Sequence, residues 1–134
     1  MLKGNLMKHD FLAIVKALSD MNRLRVFLVL GAYDELCACQ IIDLLKISGP
    51  SVSRHLSILI DAGLIRSRKV GRWIFFRLHR ENLSSEDWLA FLQNQTRGMS
   101  VFMEDQEYLK RTKVQDVLKK CCEVRRKKDA SNHG

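Results

Sequence analysis

Apolar residues recur at helical spacing through most of this chain and at strand spacing in one stretch. Between Met7 and Leu18, the stripe Phe11, Ile14, Val15 and Leu18 predicts a first amphipathic helix. Ser19 and Asp20 are good N-cap residues for a second, along which Leu24, Phe27, Leu28 and Gly31 keep the period. Val26, Val29 and Leu30 occupy its other faces, so this helix should be buried nearly all round. Gly31 and Asp34-Glu35 mark its end. Two short helices follow. Cys39 to Lys46 carries Ile41, Ile42, Leu44 and Leu45, and Ser48-Gly49-Pro50 opens the next, with proline in the first turn where no backbone donor is needed. That helix aligns Val52, Leu56, Leu59 and Ile60, shows Ser51, Ser53, Arg54 and His55 on its other face, and stops at Gly63.

The period then changes. Leu64 to Val70 and Arg72 to Leu78 are rich in β-branched and aromatic residues and flank Gly71, which predicts a β-hairpin. Helical spacing returns after Ser84 and Ser85 with Trp88, Leu89, Phe91 and Leu92. It breaks near Gly98 and resumes through Tyr108, Leu109, Val114, Val117, Leu118 and Cys121. Two short helices joined by a tight turn and followed by a hairpin make a winged helix-turn-helix. The predicted fold is mainly α with a small β-hairpin wing. Residues 19–80 form the winged core, 1–18 an N-terminal helix, and 81–134 a C-terminal helical segment with a basic tail. The outer helices carry apolar stripes that a minimal winged helix leaves without a partner. We therefore expect a homodimer, with Leu12, Val15, Trp88, Leu89 and Leu92 as its contacts.

Charge sharpens this picture. The 134 residues carry a net charge of +8, which favours an acidic partner such as nucleic acid or an anionic membrane surface. Six of the cations fall between Arg66 and Arg80, a stretch without an acid. An α-helix fits the major groove, where side chains near its N-terminus reach base edges and flanking cations meet phosphates. Ser51, Ser53, Arg54 and His55 are thus candidate contacts to double-stranded DNA, and Lys69 and Arg72 at the wing tip are candidates for backbone or minor-groove contact. Taken singly, each also reads as a solvated surface residue; the combination is what points to DNA. No apolar run approaches the roughly 18 residues that span a bilayer, and the N-terminus lacks a signal-peptide pattern. We expect a cytoplasmic protein with no membrane partner, in which thiols stay reduced. No nucleophile elbow, Ser/His/acid set or Cys-x-x-Cys beside a βαβ unit argues for an enzyme.

Four cysteines remain. Cys37 and Cys39 flank the start of the third helix, and Cys121 and Cys122 are adjacent near the C-terminus. Residues two apart on a helix point about 200° away from each other, so chelation by Cys-x-Cys needs an irregular first turn, which the junction after Leu36 can supply. The helix start should also favour the thiolate. Arsenite and antimonite bind three thiolates in a pyramid, whereas zinc and cadmium prefer four ligands. The residues alone leave open that Cys121 merely continues the apolar stripe of Val114, Val117 and Leu118.

Ala17 to Arg25, Glu35-Leu36-Cys37-Ala38-Cys39, Ser53-Arg54-His55-Leu56 with Ala62-Gly63-Leu64-Ile65, and Gly71 to Leu78 appear in an order that resembles the ArsR/SmtB family of metalloregulatory repressors over most of residues 12–80. The chain departs from that family in Met21-Asn22 where Pro-Thr is usual, and in Gly49 where many members carry Gln. The resemblance implies a dimeric repressor of its own operon that leaves DNA on binding a toxic metal or metalloid. Members with Glu-Leu-Cys-x-Cys at this position sense As(III) or Sb(III), which implies Cys37 and Cys39 as ligands. Some members carry a third Cys where Ile42 stands here, so a third thiolate could come from Cys121 or Cys122, of the same or the other subunit, or that pair could instead form a second soft-metal site; no organic cofactor is implied. A thiol-based redox sensor or a Cd/Zn sensor on the same fold is the alternative. The zinc site that other members build further on is not expected, because Ser84 to Arg97 contains no His and only Glu86 and Asp87 as acids.

Overall fold

A computed structural model describes residues 11–81 and 83–112, apart from the side chains of Leu83 and Ser84. Helical residues 11–18 form α1. They are followed by α2 (Met21–Ala32), β1 (Leu36–Cys37), α3 (Ala38–Leu45), α4 (Gly49–Asp61), β2 (Ile65–Val70), β3 (Trp73–Leu78), α5 (Leu83–Gln95) and α6 (Ser100–Arg111). The expected helices and hairpin are all present within the described residues. One element is additional: β1 pairs antiparallel with β3 and extends the hairpin to a three-stranded sheet of order β1-β3-β2.

Local chemistry sets the boundaries. Asp20 caps α2 by accepting from the Arg23 N–H at 3.1 Å, and Ser48 caps α4 by accepting from the Ser51 N–H at 3.3 Å. Lys46 ends α3 in the left-handed region at φ 56°, its N–H donating to the Ile42 carbonyl at 2.9 Å. This tight reversal sets α4 against α3 and so makes the helix-turn-helix. Gly71 opens the two-residue hairpin turn at φ +59°, a conformation that L side chains rarely adopt.

Helix α2 lies at the centre and touches α4, α5, α6 and β3. Phe27, Leu30, Ile41, Leu59, Leu64, Ile65 and Leu78 are fully buried around it. At Gly31 a β-carbon would come within 2.5 Å of Leu89 Cδ1, so glycine there lets α5 settle directly onto α2. Helix α6 is held by a forked ion pair: Arg25 Nε and an outer guanidinium nitrogen each donate to Asp105 at 2.8 Å, and Arg25 also reaches the Leu44 carbonyl at the end of α3. Among the described residues, no helix is long and apolar enough to cross a membrane.

Candidate nucleic-acid interface and thiol site

The exposed face of α4 is narrower than its sequence suggests. Ser53 and Arg54 point outward, joined one turn later by Ser57, an additional exposed hydroxyl that its place four residues after Ser53 on the helix makes legible in the sequence. Ser51 is half-buried, its hydroxyl accepting from Ser48 Oγ at 2.9 Å within the helix cap. His55 faces inward, and here the expectation of a surface base reader needs correction. Its side chain keeps 12% of its exposure, and its Nδ1 lies 3.0 Å from an Arg23 guanidinium nitrogen. Guanidinium only donates, so Nδ1 is the acceptor in this contact. Arg23 also donates through Nε to the Ala17 carbonyl at 2.7 Å. His55 thus ties the candidate recognition helix to the end of α1.

The basic run forms the wing, and its stem is laced with acids from outside the run. Arg68 grips Glu35 through two contacts of 2.7 and 2.6 Å, Arg77 meets Glu81 at 3.1 Å with Arg66 at 3.8 Å, and Arg80 meets Glu86 at 2.6 Å. Arg68 beside it holds the Glu35 carboxyl below its ordinary range. Lys69 and Arg72 sit exposed at the tip, with the Arg72 guanidinium 5.9 Å from the Trp73 ring centre.

The Cys-x-Cys sits at the root of this wing. Cys37 belongs to β1 and is also the N-cap of α3, with extended backbone at φ −81° and ψ 158°, whereas Cys39 lies in the first helical turn. The chain therefore passes from extended to helical backbone between the two cysteines. The Cys37 N–H donates to Gln40 Oε1 at 2.9 Å. Both cysteines are buried in a small cluster packed by Trp73 and Phe75 of β3. Burial pushes the Cys37 thiol above its ordinary range, outweighing the backbone N–H groups of Gln40 and Cys39 that pull it down. The expected thiolate at the helix start is thus opposed by desolvation, and Cys37 is a buried, free thiol. Cys39 is disulfide-bonded, so the expectation of reduced thiols holds at Cys37 and not at Cys39. Cys121 and Cys122 lie outside the described residues. Among the described residues, no three His, Cys, Asp or Glu side chains converge as a ready-made metal site.

The residues expected at a dimer contact divide. Leu12 and Val15 are exposed on α1, but Leu89 is buried within the protomer against Gly31, and Leu92 is half-buried against the core. Leu89 is therefore a core residue, because Gly31 opens a seat for it. Trp88 is half-buried between two exposed aromatics that the expectation omitted, Phe11 at 5.9 Å and Phe91 at 6.5 Å between ring centres.

Residues 12–67 match the model of the bacterial regulatory protein family arsR. The arsenical resistance operon repressor of Bacillus subtilis is 32% identical over 86 residues, covering 62% of this chain and 82% of that protein. The chain belongs to the ArsR family. The arsenical resistance operon repressor of Escherichia coli is 42% identical to this ArsR-family chain over 65 residues, or 48% of the chain and 56% of that repressor. The chain thus spans about half the length of several curated relatives it matches. A homodimeric winged helix-turn-helix DNA-binding domain from Mycobacterium bovis superposes with a TM-score of 0.61 at 19% identity, over 70% of this chain and 84% of that one. The fold is accordingly winged helix-turn-helix. The matched family consists of regulators, in keeping with the absence of a catalytic pattern in the sequence.

Proposed function

We propose that this ArsR-family protein is a homodimeric transcriptional repressor that binds operator DNA through α4 and the wing and leaves it when As(III) or Sb(III) binds Cys37 and Cys39. The observation that carries this reading is the burial of both cysteines at the β1–α3 junction, against the wing aromatics Trp73 and Phe75. Arsenical resistance repressors among the relatives support the choice of inducer. Exposed Ser53, Arg54 and Ser57 on α4 would read bases, with Lys69 and Arg72 on the backbone. Exposed Phe11, Leu12, Val15 and Phe91, beside Trp88, would meet a second copy.

The chemistry of the pocket favours a metalloid over a divalent cation. Arsenous acid is neutral. Each thiol that replaces one of its hydroxyls sends its proton away in the departing water, so three thiols give a neutral product and three waters with no change in oxidation state. A buried, protonated thiol such as Cys37 suits that exchange. Zinc or cadmium would instead need several thiolates and leave a charged centre in an apolar setting. Cys39 takes part only after a cellular dithiol has reduced its disulfide. Cys121 or Cys122 is the proposed source of the third thiol.

That same disulfide favours a second reading, in which oxidation of thiols is itself the signal. One titration separates the two. The reduced protein is bound to a duplex it has selected from a random pool, and As(III), Sb(III), Cd(II), Zn(II) and peroxide are added in parallel. Release by As(III) and Sb(III) at the lowest concentrations supports metalloid sensing. Release by peroxide alone supports the redox reading.

A further inference from the structure

Cys37, Phe75 and Arg68 stand in one row across the three strands: Cys37 is in register with Phe75, and Phe75 with Arg68. Cross-strand partners share a face of the sheet with their β-carbons about 5 Å apart. The Arg68 guanidinium lies 5.4 Å from the Phe75 ring centre and closes the row by gripping Glu35 with both arms of its fork. Glu35 precedes Cys37 by two residues, just before β1. A loop of contacts thus runs from the Cys37 thiol through Phe75 and Arg68 to Glu35 and back along the chain to Cys37. Helix α4 packs on α2, α3 and β2, and its His55 is tied through Arg23 to the end of α1.

We propose that Glu35 and Arg68 are the positioning pair that couples ligand binding at Cys37 to the orientation of the wing. This rests on the functional reading above and names its route: the wing, in addition to the recognition helix. Gathering three sulfurs onto one arsenic draws Cys37 towards the other ligands. β1 is a two-residue edge strand paired on one side only, so it yields before the longer β2–β3 ladder does. Its displacement shifts Glu35 and Phe75 together and withdraws both supports of Arg68, so the wing leaves its DNA-binding pose. On this account Arg68 supports the wing and does not contact a phosphate, in contrast to Arg72 at the tip.

The test uses the full-length reduced protein, arsenite as ligand, and the selected duplex. It reads two quantities separately: arsenite binding in the absence of DNA, and the ratio of DNA Kd with and without arsenite. Glu35→Gln and Arg68→Gln should each bind arsenite as wild type does, yet lose at least about fivefold of that ratio. Arg68→Gln should leave the salt dependence of DNA binding unchanged, whereas loss of a phosphate contact would lower the slope by about one. The charge swap Glu35→Arg/Arg68→Glu should restore much of the ratio. Arsenite binding with an unchanged ratio in both single variants, or a salt slope lowered by Arg68→Gln, would overturn the proposal. If arsenite neither binds nor releases the wild type, the functional reading itself fails, a result distinct from either.

Discussion

Asp20 and His55 sit at the ends of one small network around Arg23, and both bear on stability. Partial burial tends to raise the Asp20 pKa, but the Arg23 N–H together with His55 and the Arg23 guanidinium holds it below its ordinary 3.8. A carboxyl depressed on folding adds stability above its unfolded pKa and loses it as pH falls through the folded value. Asp20→Asn keeps the helix cap but should flatten the acid limb of a stability–pH profile below about pH 4, measured by urea denaturation. Asp20→Ala should in addition cost about 1 kcal/mol at neutral pH. His55→Ala should lower stability by about 1–2 kcal/mol, because it removes a charge-assisted hydrogen bond in a largely buried position. A pure surface reader would leave the denaturation midpoint unmoved. The sequence placed His55 correctly on α4, but its partner lies 32 residues away, and helical spacing carries no information about such a neighbour.

At the level of elements, caps and period were enough to locate the helices, since Asp20, Ser48 and Pro50 act locally. What stayed hidden depends on contacts far along the chain. β1 is two residues long, too short for any alternation, and exists because β3 offers Leu36 and Cys37 a partner. Lys46 turns the chain from α3 into α4 with a backbone conformation that its residue type gives no reason to expect. The seat of α6 likewise depends on Asp105 finding Arg25, which is 80 residues distant. Breaking that pair by Asp105→Ala strands a largely buried guanidinium and should cost about 3 kcal/mol in urea denaturation. Replacing both partners with apolar residues of similar size should cost much less. Equal losses in the single and double replacements would show that packing, and not the ion pair, holds α6.

Across the whole molecule, the basic surface, the apolar flank and the thiol site each carry part of the proposed function. Arg72→Ala should weaken binding to all duplexes alike and lower the salt slope by about one, read by fluorescence anisotropy at several salt concentrations. An effect confined to the selected duplex would shift base reading from α4 to the wing. The exposed patch of Phe11, Leu12, Val15 and Phe91 should make the protein a dimer at micromolar concentration, with and without DNA. Sedimentation as a monomer in both states would leave that patch unexplained. The Glu-Leu-Cys-x-Cys motif was legible in the sequence, but its burial under Trp73 and Phe75 was not, because the wing lies more than thirty residues downstream. The central claim is that this buried site takes the metalloid. X-ray absorption at the arsenic edge, on arsenite bound to the reduced full-length protein, tests it most directly. We expect three As–S contacts in wild type and fewer in Cys37→Ser, with DNA release lost in parallel. Three contacts that survive in the Cys37→Ser/Cys39→Ser double variant would contradict the account and place the sensing site elsewhere in the molecule.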